Sequence, residues 1–432
     1  MGHTIPVIMK TRLLLDSDPT AVSAAVEVLA RGGVCALPTE TVYGLAGRGL
    51  DDDSVGAIYA AKGRPADNPL ILHVGAVDDA WPLWRLTPPE QRRVELLAHA
   101  FWPGPLTLVG TASEVVPPLP RAGLARVAVR LPRHPFARAV AQALGEPFAA
   151  PSANLSGRPS PTTAQDVLHT LQGRIPLVID GGPCSAGIES SVVDVSGPRP
   201  RLLRPGALSV LELKRVVPDL DVRSPGSAAH IDDASPGLRH RHYAPALPCS
   251  LVTEVHSVWN DEGVAVIVDA DTAHRLGPRP GFVVILPPVA AAWARGLYAA
   301  LYKAERAHPT RLVILRVPGD DDEWAPAARS WPSSLPDEGT DVDAPTVEWR
   351  TGTSGDGASC GSEASATSTG FVASTRVSCR TVSSICRTLR FSATTRRASC
   401  SWSVRSGVPR RARACPAEIC PSPTSRWTDV GS

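Results

Sequence analysis

Residues 38–47 read PTETVYGLAG and residues 62–74 read KGRPADNPLILHV. The first stretch places small and hydroxyl-bearing residues directly after a short apolar run, Val34 to Leu37. The second packs Lys62, Arg64, Asn68 and His73 among Gly63, Pro65 and Pro69. A helix does not run through two such prolines, so the spacing predicts a shaped loop leading into a strand over 70–74. Two cations, an amide and an imidazole on a stiff loop suit an anionic ligand such as a nucleotide. Taken alone, the KGR run reads more readily as a solvated basic turn, and only the further segments below reverse that weighting.

Working outward, residues 10–215 read as one α/β domain. Asp18 and Pro19 before AVSAAVEVLARGG give an N-cap, a proline at the first helical position and a glycine stop. Val34–Leu37 reads as a buried strand. Helices are expected from Asp52 to Lys62, over 88–100, 135–144 and 163–171. Strands are expected over 106–109, 127–131, 177–180 and 192–195. Mixed strand and helix periods of this kind imply a twisted sheet flanked by helices. Residues 216–248, rich in Pro, Ser, Gly and Asp, read as a linker. A smaller Rossmann-like α/β unit follows over 249–330, with strands near 251–255, 264–268, 283–286 and 312–317 and a helix over 290–307.

Residues 331–432 differ in kind. The last lysine is Lys303, and from Arg350 onward Ser, Thr, Arg, Gly and Cys dominate with no apolar period. Such a composition cannot offset its ordering entropy and reads as a disordered tail. Arg/Ser/Cys enrichment without lysine also fits a shifted GC-rich reading frame. The chain has 432 residues, is 43% hydrophobic and carries a formal charge of +2, which selects no class of partner. No apolar run approaches the roughly 18 residues of a membrane span, and 1–15 has no signal-peptide core. A cytoplasmic protein is expected. The nine cysteines form no C-x-x-C pair, so no zinc site is expected.

Five further segments carry chemistry: FWPGPLTLV (101–109), RVAVRLPRHP (126–135), APSANLSGRPSPTT (150–163), GIESSVVDV (187–195) and LLRPGALS (202–209). In RVAVR, strand alternation puts Arg126, Ala128 and Arg130 on one face and the valines on the other. Arg130 then either faces a cleft, where its fork fits a carboxylate, or lies on the surface. The serine-rich 150–163 loop can hold phosphate or carboxylate oxygens, or serve ordinary turn and capping chemistry. No Walker-type phosphate loop and no serine-triad pattern is present, so a nucleotide would rely on Lys62, Arg64 and Arg204.

In order and spacing, these segments, with the two opening stretches and HYAP (242–245), resemble the threonylcarbamoyl-AMP synthase family, in the form with a YrdC-like domain and a second domain. The resemblance spans residues 12–318. It implies synthesis of L-threonylcarbamoyladenylate from L-threonine, bicarbonate and ATP, with Mg²⁺, and delivery to a transferase that modifies tRNA. It implies that Thr41, His73, Arg130, Ala150 and Ser190 line the threonine pocket. Arg64, Asn68, Arg126, Ser152, Ser160, Arg204 and Tyr243 would contact ATP, with Lys62, Arg64 and Arg204 carrying catalysis and His242–Tyr243 in a lid-like linker. Arg126 stands where relatives more often carry a small or hydroxyl residue. The family's usual C-terminal helix is not recognisable after Arg329. The alternatives are a double-stranded RNA or tRNA-binding module and a carbamoyl-transfer subunit of hydrogenase maturation. Short Pro/Gly-shaped loops disfavour the first, and the lack of C-x-x-C zinc modules disfavours the second.

Overall fold

The computed structural model describes residues 10–222 and 245–315. The expected tail (331–432), Tyr243 and most of the linker lie outside the described residues.

The first domain runs β1 (Arg12–Leu15), α1 (Ala21–Ala30), β2 (Cys35–Leu37), β3 (Gly44–Arg48), α2 (Asp52–Lys62), β4 (Ile71–His73), α3 (Pro88–Phe101), β5 (Leu106–Thr111) and β6 (Arg126–Arg130). It continues with α4 (Pro135–Leu144), β7 (Phe148–Ala149), α5 (Ala164–Leu171), β8 (Leu177–Asp180), β9 (Ser191–Asp194), β10 (Arg201–Arg204) and α6 (Val210–Val216). Among the described residues its ten strands form one mixed sheet, ordered β1-β8-β2-β3-β7-β4-β6-β5-β9-β10.

Most expected elements form within a residue or two of their predicted bounds. The α1 cap differs. The helix starts at Ala21, and the Asp18 carboxylate instead accepts from the Thr20 N–H (2.8 Å) and hydroxyl (2.7 Å). That local turn competes with capping, so the helix begins later. The α2 N-cap is Asp51, whose carboxylate accepts from the Ser54 N–H, and Gly63 closes the helix in the left-handed region. The strands β1, β3, β7 and β10 carry no clear alternation and were not expected.

Helices cover the two sheet faces unequally. On one face, Val55 and Ile58 of α2, Val94 and Leu97 of α3, Val167 of α5 and Leu213 of α6 pack with Leu72, Val127 and Val129. On the other, Ala21, Ala25 and Leu29 of α1 and Phe136 and Val140 of α4 pack mainly over β2, β3, β7 and β8. Beyond β7, the same face over β4, β6, β5 and β9 carries just a small apolar cluster, including Ile71, Val109, Ala128 and Val192. That incompletely covered half is where polar side chains of the sheet become available.

The second domain has β11 (Cys249–Val252), β12 (Val264–Asp269), α7 (Ala270–Leu276), β13 (Val283–Leu286), α8 (Ala290–Arg306) and β14 (Arg311–Leu315). Its strands form an all-parallel sheet, β11-β14-β12-β13. Both faces are apolar, as parallel sheets require: Val264, Val266 and Val268 on one side, Ala265 and Ile267 on the other. The α8 side of this core also takes in Val42 and Ile188 of the first domain. No helix among the described residues is long and apolar enough to cross a membrane.

Candidate active site

Strand register builds the floor. Arg48 pairs with Phe148, Phe148 with His73, and His73 with Arg130, so these side chains stand in one row on the incompletely covered face. His73 stacks on Phe148 with ring centres 5.1 Å apart and planes 3° from parallel. Its Nδ1 donates to the Ile71 carbonyl at 3.1 Å, which leaves Nε2 as an acceptor. Burial, then the neighbouring Arg130 charge, lower its pKa to about 3, so the ring is neutral at ordinary pH.

Arg130 is a buried cation. Only 4% of it is exposed. Nη1 donates to the Thr41 hydroxyl (2.8 Å), Nε to the Gly104 carbonyl (3.3 Å), and Nη2 lies 2.8 Å from Glu40 Oε1. That last contact is an ion pair without hydrogen-bond alignment, and both atoms keep unspent hydrogen-bonding capacity. Burial raises the Glu40 pKa, but Arg130 and the Arg133 N–H outweigh it and hold the carboxyl below its ordinary value. A buried guanidinium N–H without an aligned acceptor suits an incoming carboxylate.

Arg64 and Arg204 line the same hollow as Arg130. Arg64 donates to the carbonyls of Asn68 (3.4 Å) and Pro69 (3.1 Å), fixing the 64–69 loop. Arg204 donates to the Ser190 carbonyl (2.9 Å) and hydroxyl (3.3 Å), and that hydroxyl also bonds Thr107 Oγ1 (2.7 Å). Thr41, Arg64, His73, Arg130, Ala150, Ser152, Ser190 and Arg204 all line one hollow of about 580 Å³, counting space open to solvent.

Other expected site residues fall elsewhere. Lys62 is buried at the end of α2, and its ammonium donates to the carbonyls of Ser152 and Asn154 (2.6 Å to the latter) and reaches Asn154 Oδ1 (3.5 Å). Burial, then the Arg64 charge, push its pKa well below the usual value. The three oxygens use its three donors, so Lys62 shapes the 152–154 loop and does not face the hollow. Asn68 is buried behind the loop, its carbonyl accepting from Tyr59 (3.1 Å). Ser160 donates to Glu189 Oε1 (2.5 Å) behind the wall. Arg126 is displaced outright: it meets Asp194 at 2.6 Å, a carboxylate shared with Arg201 at 3.3 Å, and does not line the hollow. Tyr243 lies outside the described residues.

The sequence reading missed Glu40 and Glu189. Both sit inside quoted motifs, PTET and GIESS, but a carboxylate in a cation-rich motif has no legible role until its partners are in space. Glu189 lines the hollow and accepts from Ser160 and from the Tyr298 hydroxyl (3.0 Å).

A buried arginine ion-paired to Glu40, two further guanidiniums and several hydroxyls thus line one hollow. A family model described as "Telomere recombination" (Sua5/YciO/YrdC) matches residues 27–206, and one described as "Threonylcarbamoyl-AMP synthase, C-terminal domain" matches 208–327. Similar curated proteins include the threonylcarbamoyl-AMP synthases of Pyrococcus abyssi, 44% identical over 50% of this chain, and of Bacillus subtilis, 43% identical over 55%. The matches span 63% and 68% of those proteins' own lengths. The solved structure of P. abyssi Sua5 complexed with L-threonine aligns with a TM-score of 0.65 at 34% identity, covering 75% of this chain and 95% of that one. This chain belongs to the threonylcarbamoyl-AMP synthase family.

Proposed function

We propose that this protein joins L-threonine, bicarbonate and ATP into L-threonylcarbamoyladenylate and releases pyrophosphate. The observation that carries the reading is the convergence of Arg64, Arg130, Ser152, Ser190 and Arg204 on one hollow. Arg130, held by Glu40 and Thr41, would take the threonine carboxylate with its unaligned Nη2 donor. Neutral His73 would accept a hydrogen bond through Nε2. Arg64, Arg204 and Ser152 would take the phosphates.

In this reading bicarbonate takes up a proton and loses water to give carbon dioxide, and the threonine amine adds to it, losing a proton and leaving a carbamate. A carbamate oxygen attacks the α-phosphorus, forming the P–O bond as the bond to the pyrophosphate oxygen breaks. Both reacting groups come from substrates, so the protein supplies position and charge neutralisation. Among the described residues no group of three or more His, Cys, Asp or Glu is arranged to hold a metal. Mg²⁺ would enter as part of the ATP substrate. The product's use would be transfer to adenosine in tRNA by a partner enzyme in the cytoplasm.

The test is incubation of purified protein with ATP, bicarbonate and labelled threonine. Threonine- and bicarbonate-dependent pyrophosphate is expected. Arg64→Ala should lower it at least about tenfold, since charge-assisted contacts are worth roughly 1.5–3 kcal/mol. Pyrophosphate release that ignores threonine would overturn the assignment.

A further inference from the structure

One face of α8 packs against the first domain. Tyr298, Tyr302 and Arg306 follow one another at four-residue spacing and so share a helix face. The Tyr302 hydroxyl donates to the Pro159 carbonyl (2.6 Å), and Arg306 pairs with Asp166 (3.2 Å). Next to them Glu305 accepts from Arg158 (2.6 Å). Gly187 adopts φ +72° against α8, where an added Cβ would stand 2.3 Å from the Arg295 carbonyl oxygen. Only glycine permits that approach. Ile188 then enters the small domain's core with Trp293 and Tyr298. The next residue, Glu189, faces the hollow.

Glu189 is a carboxylate in a site built for anions. It precedes Ser190, whose carbonyl and hydroxyl hold Arg204. Its two oxygens accept from two neutral donors, Ser160 Oγ and Tyr298 OH. Released from these, it would be drawn to the guanidiniums lining the same hollow and would compete with a phosphate for them.

We propose that Tyr298 is a positioning residue: its hydroxyl ties down the Glu189 carboxylate, so that Glu189 does not compete with the ATP phosphates for Arg204 and Arg64. The inference rests on the reaction assigned above. It gives the small domain a definite chemical task on the nucleotide side of the pocket.

Tyr298→Phe removes one hydroxyl and keeps the ring in its packing. The KM for ATP should rise about three- to tenfold, as loss of one hydrogen bond allows. The KM for threonine and the thermal midpoint should stay unchanged. Adding Glu189→Gln removes the competing charge and should return the KM for ATP to within about twofold of wild type, the gain expected from deleting one unpaired carboxylate. An unchanged KM for ATP in Tyr298→Phe, or a double variant no better than the single one, overturns the proposal. So does a fall in the thermal midpoint with both KM values raised together, which marks a structural role only. If wild type releases no threonine-dependent pyrophosphate, the assigned reaction fails. Equilibrium binding of ATP to the same three proteins then still decides the role of Tyr298 by the same pattern.

Discussion

The two ends of β6 carry the same residue on the same face, and they have opposite fates. Arg126 is a fifth exposed and meets Asp194, which Arg201 also contacts and whose other oxygen accepts from the Ser196 N–H and hydroxyl. Its charge is matched at the rim. Arg130 is buried, and although Glu40 balances its charge, one N–H stays unaligned with any acceptor. On the proposed reading, a binding arginine would be distinguished by incomplete satisfaction in a buried place, which neither residue type nor face reveals.

The sharpest way to break this contrast is Arg130→Met. Removing one partner of a buried pair strands Glu40, so unfolding free energy in denaturant titration should fall by about 3–5 kcal/mol. Threonine-dependent pyrophosphate should vanish. Adding Glu40→Gln removes the stranded charge and should restore much of the stability but none of the activity. Activity returning with stability would show that Arg130 only supports the fold.

Lys62 sharpens the comparison from a third position. Lys62→Met leaves the Ser152 and Asn154 carbonyls without their donor, at a cost of about 1–3 kcal/mol for the buried groups. Stability and activity should fall together, because Ser152 moves with its loop. A raised KM for ATP at unchanged stability would put the ammonium on the triphosphate, as the resemblance implied.

These three cations also mark how far the sequence could be read. Alternation in RVAVR placed Arg126 and Arg130 on the polar face correctly, because a period of two is a local property. It could not say which end lies inside the hollow, since that depends on the 38–44 segment and the loop before β5 folding over one end. Lys62 was legible as a cation at a helix end, but its consumption by carbonyls some ninety residues away was not. Short strands such as Gly44–Arg48 went unseen because burial on both sides erases alternation. Glu189 needed α8 of another domain before its role could be stated.

His73 extends the contrast to protonation. Its folded pKa of about 3 lies below the ordinary 6.5, so between those values the unfolded chain binds a proton that the native protein does not. Stability from this group is therefore complete above pH 6.5 and is lost as pH falls, by about 1.4 kcal/mol per unit within that window. His73→Phe should flatten the wild-type slope between pH 6.5 and 5 by that amount in denaturant titrations. Equal slopes would mean that the imidazole is protonated in the native state, and that Nε2 is not the acceptor proposed for the substrate.

The smallest effect should come from Arg126→Ala. Asp194 keeps Arg201 and the two Ser196 donors, so its carboxylate is not stranded as Glu40 would be. The pair is partly open to solvent, so its loss should cost no more than about 1 kcal/mol. The KM values for ATP and threonine should both remain within about twofold of wild type, below the loss expected for a ligand hydrogen bond. A tenfold rise in the KM for ATP would return Arg126 to the nucleotide site. It would require the Asp194 pair to open when ATP binds, exchanging one carboxylate partner for a phosphate. The two ends of β6 would then differ only in which substrate completes them.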